Sequence, residues 1–295
     1  MRRSLYIAVV CILASMPMAA QSTWGLRTSV GTEKKIGKGL DAGMEFNYYQ
    51  ADNFKTTDRW NVGLSLSKRL FRNKAKTFNV KAGLGYKYLN VYQGWNTKYK
   101  GDRTDVEDGL DPYYYKKRGY NYNYYDSYVD IRHRVTASLQ ATMEFGKIKV
   151  SLRESYQFTH SDSLENYVMR FRYVNPDEEE KDDKIAELTD KGYSPYEGNY
   201  YKKSDGKSAS DKNLLRSRIS VDYNIPHWKY DPFVSYELFN SLDKAFEVQK
   251  SRITAGVDFS FNKKHNFEVA YMWQNQHDDD EPAGSFICVD YKFTF

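Results

Sequence analysis

The segment Gly284 to Phe295, GSFICVDYKFTF, alternates strictly between apolar and polar positions. Ile287, Val289, Tyr291, Phe293 and Phe295 share one side of an extended strand, and Cys288, Asp290, Lys292 and Thr294 share the other. The same period of two holds from Leu40 to Tyr49, where Leu40, Ala42, Met44, Phe46 and Tyr48 oppose Asp41, Gly43, Glu45, Asn47 and Tyr49. A helix cannot sort such residues onto two faces, so the pattern commits the chain to an all-β fold with one greasy and one charged face per strand.

The first residues follow a different rule. Arg2 and Arg3 precede an apolar run from Leu5 to Met16, and the small residues Ala19 and Ala20 come before Gln21. This pattern reads as a secretory signal peptide over residues 1–20, and its apolar run is too short to span a bilayer. Lipoprotein processing at Cys11 is disfavoured, because that residue lies inside the apolar run behind Val10. Removal of the signal leaves 42 basic residues against 39 acidic ones, near +3, which offers nothing to nucleic acid. It also leaves Cys288 as the single cysteine, so no intramolecular disulfide is available to an exported chain.

Mean hydropathy is −0.78 and no second long apolar run exists, which excludes a helical membrane protein. A membrane β-barrel is compatible with low hydropathy, because its strands show lipid only every second residue. The 16% aromatic content suits the aromatic girdles that such barrels place at both interfaces. The terminal strand, greasy on one face and ending in Phe295, resembles the closing strand of an outer-membrane barrel, and Val289, Tyr291, Phe293 and Phe295 are its expected signal to the barrel-assembly machinery.

Alternation recurs around Trp24–Val30, Trp60–Leu66, Phe78–Tyr88, Val129–Met143, Ile148–Phe158, Leu215–Tyr223, Val234–Leu238, Ile253–Phe261 and Phe267–Trp273. It lapses over residues 90–127 and 159–213, both polar and tyrosine-rich. These are expected as long extracellular loops, the second partly disordered. Residues 21–295 are therefore expected as one antiparallel transmembrane barrel domain of about 12 strands, within a range of 10 to 12. Direct counting yields roughly eleven, an odd number that would set the first strand parallel to the last.

If the apolar faces meet lipid, the alternate positions line the lumen. These include Arg132, Arg134, Arg153, Arg216, Arg218, Arg252 and Lys292, set against Glu45, Asp222, Glu237, Asp258 and Asp290. The signs nearly balance, so the first expectation is an ion-paired, occluded lumen in a non-enzymatic structural or binding protein of the envelope. A narrow passive pore for small solutes is the alternative. Outer-membrane lipid and lipopolysaccharide are the expected surroundings, and no cofactor is implied. A soluble secreted β-sandwich is a weaker option.

The segment Leu214 to Leu242, together with WGL at Trp24–Leu26, Glu45, RHR at Arg132–Arg134 and LRESYQF from Leu152, resembles a poorly characterised family of outer-membrane β-barrels from Bacteroides-like Gram-negative bacteria. The resemblance spans nearly the whole mature chain. It implies a location and an architecture, and no reaction. Asn47 and Ser155 stand where that family would often carry arginine.

Three smaller features invite functional readings. His160, Ser161 and Ser163, with Glu154 lower on the same strand, contain the residue types of a lipid-modifying hydrolase. Parity, however, turns Glu154 and His160 toward lipid, and a bulge returning Glu154 to the lumen is the cheaper explanation. The Asp278–Glu281 cluster reads first as a solvated loop tip and second as a divalent-cation bridge to lipopolysaccharide. Tyr113–Tyr125 reads as interfacial aromatics before sugar-stacking residues. His133, His227, His265 and His277 lack the spacing of a metal site.

Overall fold

The computed structural model describes residues 23–165, 168–196, 198–204, 206–226, 228–262, 264–276 and 282–295. The expected signal peptide, 1–20, lies outside the described residues. The chain forms two compact units: residues up to 90 with 132–160 and 211–295, and residues 91–131 with 161–210.

The first unit is built around a closed barrel. Its strands are β1 (Trp24–Gly37), β2 (Leu40–Ala51), β3 (Thr56–Arg72), β4 (Phe78–Gln93), β7 (Tyr128–Phe145), β8 (Ile148–Ser161), β12 (Ser210–Tyr223), β13 (Tyr230–Ser241), β14 (Val248–Phe261), β15 (His265–Gln276) and β16 (Gly284–Thr294). Each strand pairs with its neighbour in chain order, and β1 closes on β16. Eleven strands fall within the expected range, and the odd count has the predicted consequence: β1 and β16 are parallel, from Trp24 opposite Ser285 to Glu33 opposite Thr294. The Phe295 amide extends the seam by donating to the Glu33 carbonyl at 2.8 Å.

Sequence alternation becomes an inside and an outside. Val30, Met44, Phe46, Leu64, Leu84, Leu139, Leu152, Ile219, Val234, Val269, Ile287 and Val289 are all exposed, although they belong to regular strands. Aromatic side chains gather toward the two ends of this band. At the end of the short turns, Phe259 stacks on Phe267 at 4.9 Å, and Tyr291, His265 and Phe293 continue the chain of rings. At the other end Phe46, Trp60, Tyr88 and His133 form a second series, and the Tyr86 hydroxyl bonds His133 at 2.7 Å. The turns use left-handed backbone where it is needed, with φ of 123° at Gly37 and 76° at Gly39 around Lys38.

The second unit corrects the reading of 90–127 and 159–213 as plain loops. It contains β5 (Asn96–Tyr99), α1 (Pro112–Lys117), β6 (Tyr122–Tyr125), β9 (Val168–Tyr173), α2 (Lys181–Asp190), β10 (Ser194–Tyr196) and β11 (Asn199–Ser204). The strands form a five-stranded sheet in the order β10-β11-β9-β6-β5. Its core is aromatic: Tyr115, Tyr122 and Phe171 are buried, with ring centroids 5.1 Å and 4.7 Å apart along the stack. The start of α1 is fixed locally by Pro112 and by the Asp111 carboxylate, which accepts from the Tyr113 amide at 2.8 Å. Asp130 is fully buried and accepts from the Lys207 ammonium at 2.7 Å, beside the bridge between Leu164 and Lys207.

Burial in this aromatic stack pushes the Tyr122 phenol up to about 12 from the ordinary 10.0. The folded unit holds this group neutral, so its contribution to stability is complete below about pH 10 and lost as pH rises toward 12. In an alkaline titration followed by tyrosinate absorbance, wild type and Tyr122→Phe are expected to diverge only at the high end of that window. Divergence at or below pH 10 would show that the ring is not sequestered.

Candidate functional site

Cross-strand register arranges the lumen into layers. In one layer Glu237 lies directly opposite Arg218 on β12 and Arg252 on β14, and Arg252 lies opposite Gln274 on β15. The Glu237 carboxylate is almost fully buried and accepts from Arg216 Nη2 at 2.9 Å, with Arg153 Nη2 and Arg252 Nη1 each 3.7 Å from its oxygens. The guanidiniums have further anchors. Gln274 Oε1 accepts from Arg252 Nε at 2.6 Å and from Arg27 Nη2 at 3.1 Å, and Gln157 Oε1 accepts from Arg216 Nη1 at 3.2 Å. The Phe239 ring receives three cations at once, Arg216, Lys250 and Arg252, between 4.2 and 4.7 Å from its centroid.

An apolar layer follows. Phe233, Gly256, Ala270 and Cys288 stand in register on four adjacent strands, and Met272 faces Phe286 beside them. Phe233, Ala270, Met272, Phe286 and Cys288 form a buried cluster inside the barrel. Gly256 lets the strands pack there, because a Cβ at this position would lie 2.5 Å from that of Ala270.

Beyond that layer, toward the short turns, Asp231, Asp258, Glu268 and Asp290 stand directly opposite one another on β13, β14, β15 and β16. Like charges so placed destabilise a sheet. They border a cavity of about 540 Å³ that also meets Glu33, Glu45 and Lys292. Simple pairs complete the lining: Lys87 with Glu45, Lys149 with Asp222 at 3.3 Å, Lys81 with Asp41 at 3.8 Å and Lys292 with Glu33 at 3.4 Å.

The sequence-derived network is thus brought together only in part. Arg153, Arg216, Arg218, Glu237 and Arg252 converge. Arg134 lies apart, donating from Nε to Thr159 at 3.1 Å, and Arg132 is buried higher on the same strand. Glu45, Asp222 and Lys292 occupy separate pairs, while Asp258 and Asp290 join the carboxylate row. Val289 and the terminal aromatics lie along the parallel seam, with Phe293 and Phe295 edge to face at 4.7 Å. Sequence reasoning missed Gln274, Phe239, Asp231 and the apolar layer. Gln274, Phe239 and the apolar layer share the inward parity of the charged residues but carry no charge, so a list selected by charge passes over them; Asp231 precedes Val234, where the alternation of its strand begins to be legible.

The hydrolase-like residues are arranged differently from the bulged strand that was expected. Burial on β8 alternates without interruption through Ser151, Ser155, Gln157, Thr159 and Ser161, so Glu154 stays on the outer face. There Ser217 Oγ donates to its carboxylate at 2.6 Å, and higher up Tyr156 donates to Asn213 at 2.6 Å. His160 Nδ1 lies 2.6 Å from Asp211 on that outer side, whereas Ser161 is buried on the inner side. The Asp278–Glu281 cluster, His227 and His277 lie outside the described residues. Tyr113 is exposed, but Tyr115 and Tyr122 belong to the core of the second unit.

Removing the carboxylate from the Glu237 layer would strand several buried cations, a loss of about 3–5 kcal/mol. Glu237→Gln is therefore expected to lower the urea midpoint of the detergent-folded barrel strongly. Lys292→Gln, which breaks an exposed pair with Glu33, is expected to change stability by no more than about 1 kcal/mol. Equal effects would show that the Glu237 layer is not a structural centre.

The model of a family described as a protein of unknown function, DUF2490, matches residues 187–283, which include Arg216, Arg218, Glu237 and Arg252. No curated protein matches the chain. Among solved structures, the chain is similar to the translocator domain of the autotransporter NalP from Neisseria meningitidis at 9% identity. That likeness covers 93% of this chain and 90% of the other, with a TM-score of 0.40. It is also similar to the β domain of the Bordetella autotransporter BrkA at 10% identity, covering 92% and 95% of the two chains, again with a TM-score of 0.40.

Proposed function

We propose that this protein is a non-enzymatic outer-membrane β-barrel of a Gram-negative cell envelope, a structural or binding protein whose lumen is closed to ion flow. The observation that carries the reading is the band of exposed apolar side chains on the barrel, from Val30 and Met44 to Ile287 and Val289, bordered by aromatic rings toward both ends. In water such a surface would be a standing aggregation hazard. In a bilayer it is the expected outer surface, and closure leaves no strand edge facing lipid. The lumen supports the closed alternative over the pore. A passive pathway would have to pass the Glu237 layer, the apolar cluster on the β13–β16 wall and the carboxylate row, so that an ion of either sign meets a repelling region.

In this reading the short turns and Phe295 face the periplasm, and 90–127 and 159–213 emerge outside among lipopolysaccharide. The aromatic stripe Val289, Tyr291, Phe293 and Phe295 is the surface offered to the barrel-assembly machinery.

The protein is expected to sediment with the outer membrane, to require detergent for extraction and to show heat-modifiable gel mobility. In planar bilayers it is expected to give no stepwise conductance. A fraction soluble without detergent would overturn the membrane assignment, and steady single-channel currents would overturn the closed lumen. Deleting Phe295 is expected to reduce the yield of inserted barrel several-fold, measured by surface labelling. Insertion of the truncated chain at normal yield would remove the assembly role.

A further inference from the structure

Cations exceed carboxylates in the Glu237 layer, and the excess extends to a neighbouring cavity. A cavity of about 170 Å³ is lined by Lys149, Arg153, Arg218, Ser151, Ser220 and Asp222. Its single carboxylate, Asp222, is engaged by Lys149 at 3.3 Å. Arg153 reaches the nearest other carboxylate, Glu237, only at 3.7 Å, and Glu237 is already bonded to Arg216 at 2.9 Å and shared with Arg252. Arg218 makes no hydrogen bond and no ion pair at contact distance among the described residues: Glu237, opposite it in register, and Glu268 act on it only from farther off, and Arg153 beside it carries the same charge. Two guanidiniums therefore meet the cavity wall with unused donors, and the Ser220 hydroxyl stands with them, while Ser151 Oγ shares a 3.0 Å hydrogen bond with Thr142 Oγ1.

Such an arrangement is costly unless an anion completes it. Guanidinium forks match the paired oxygens of a phosphoryl group, and hydroxyls supply further donors to the same oxyanion. The volume suits a tetrahedral oxyanion or a small ester bearing one, and excludes a polymer. We propose that this cavity binds a phosphate-class oxyanion, either free phosphate or the terminal phosphate of a small ester, with Arg153 and Arg218 as its principal donors.

The proposal deepens the binding reading of the closed barrel, and it requires only that the barrel be folded. Full-length protein folded in detergent would be titrated calorimetrically with inorganic phosphate, glycerol phosphate and acetate. Saturable binding of phosphate is expected, weakening with added salt. Binding of glycerol phosphate with similar affinity identifies an ester-accepting site, and its exclusion identifies a site for the free ion. Arg218→Gln is expected to weaken phosphate binding about ten- to a hundredfold, because one charge-assisted interaction is lost. Its heat-modifiable mobility should persist, since Arg218 makes no close bond to another side chain. Arg218→Lys should recover part of the affinity.

Absence of saturable phosphate binding by wild type would overturn the site. So would acetate binding as tightly as phosphate, or a folded Arg153→Gln, Arg218→Gln double variant binding like wild type. Failure of the envelope assignment would show instead as loss of membrane sedimentation, a separate observation that leaves the titration intact.

Discussion

The parallel pairing of β1 with β16 is the constraint on which the barrel depends. A sheet without that contact has two edges, each a row of unsatisfied amides and carbonyls, and no fixed interior. Once Trp24 to Glu33 lie against Ser285 to Thr294, every strand has two neighbours and alternate side chains acquire a common inside. Space at the seam is limited. A Cβ on Gly25 would sit 2.4 Å from the Gln50 carbonyl and 2.5 Å from the Phe286 ring, so only glycine lets β1 lie between β2 and the ring that fills the lumen.

Closure then makes the lumen a problem of charge. Buried ions need partners at contact distance, and the Glu237 layer meets this need by sharing one carboxylate among Arg153, Arg216 and Arg252 while Phe239 and Gln274 take up the remaining capacity. The apolar cluster separates that basic region from the row Asp231, Asp258, Glu268 and Asp290. Overall balance of charge thus conceals local imbalance. The excess at Arg153 and Arg218 gives the anion proposal its physical basis.

The second unit is stabilised by different means. Its sheet is small, and its core is made of stacked phenol and phenyl rings rather than aliphatic side chains. Rings bury much area while fixing few torsions, so tyrosines can order a polar segment that has little aliphatic content. This explains why 90–127 and 159–213 look like loops in the sequence. Their strands are short, between three and six residues, too brief to establish a period of two, and their core residues are the same tyrosines that suggest an exposed rim.

What the sequence by itself determined is the class of fold and the two faces of each long strand, because a period of two is local and survives without knowledge of partners; the strand number it left at about 12, and closure at eleven is decided by the structure. Parity alone turned Glu154 and His160 to the outer face, and β8 runs without the bulge that was expected to return Glu154 to the lumen. Partnership was decided only by tertiary structure. Arg132, Arg153 and Arg218 are equivalent in the sequence as inward arginines. Strand register sets Arg218 directly opposite Glu237, yet Arg153 from β8 is the one of the three that reaches that carboxylate within ion-pair distance, and Arg132 sits at another level. Register depends on turn lengths, on the irregular pairing near Phe239 and Asn240, and on the closing seam. Those determinants lie far apart in the chain, and they act together only when the barrel is shut.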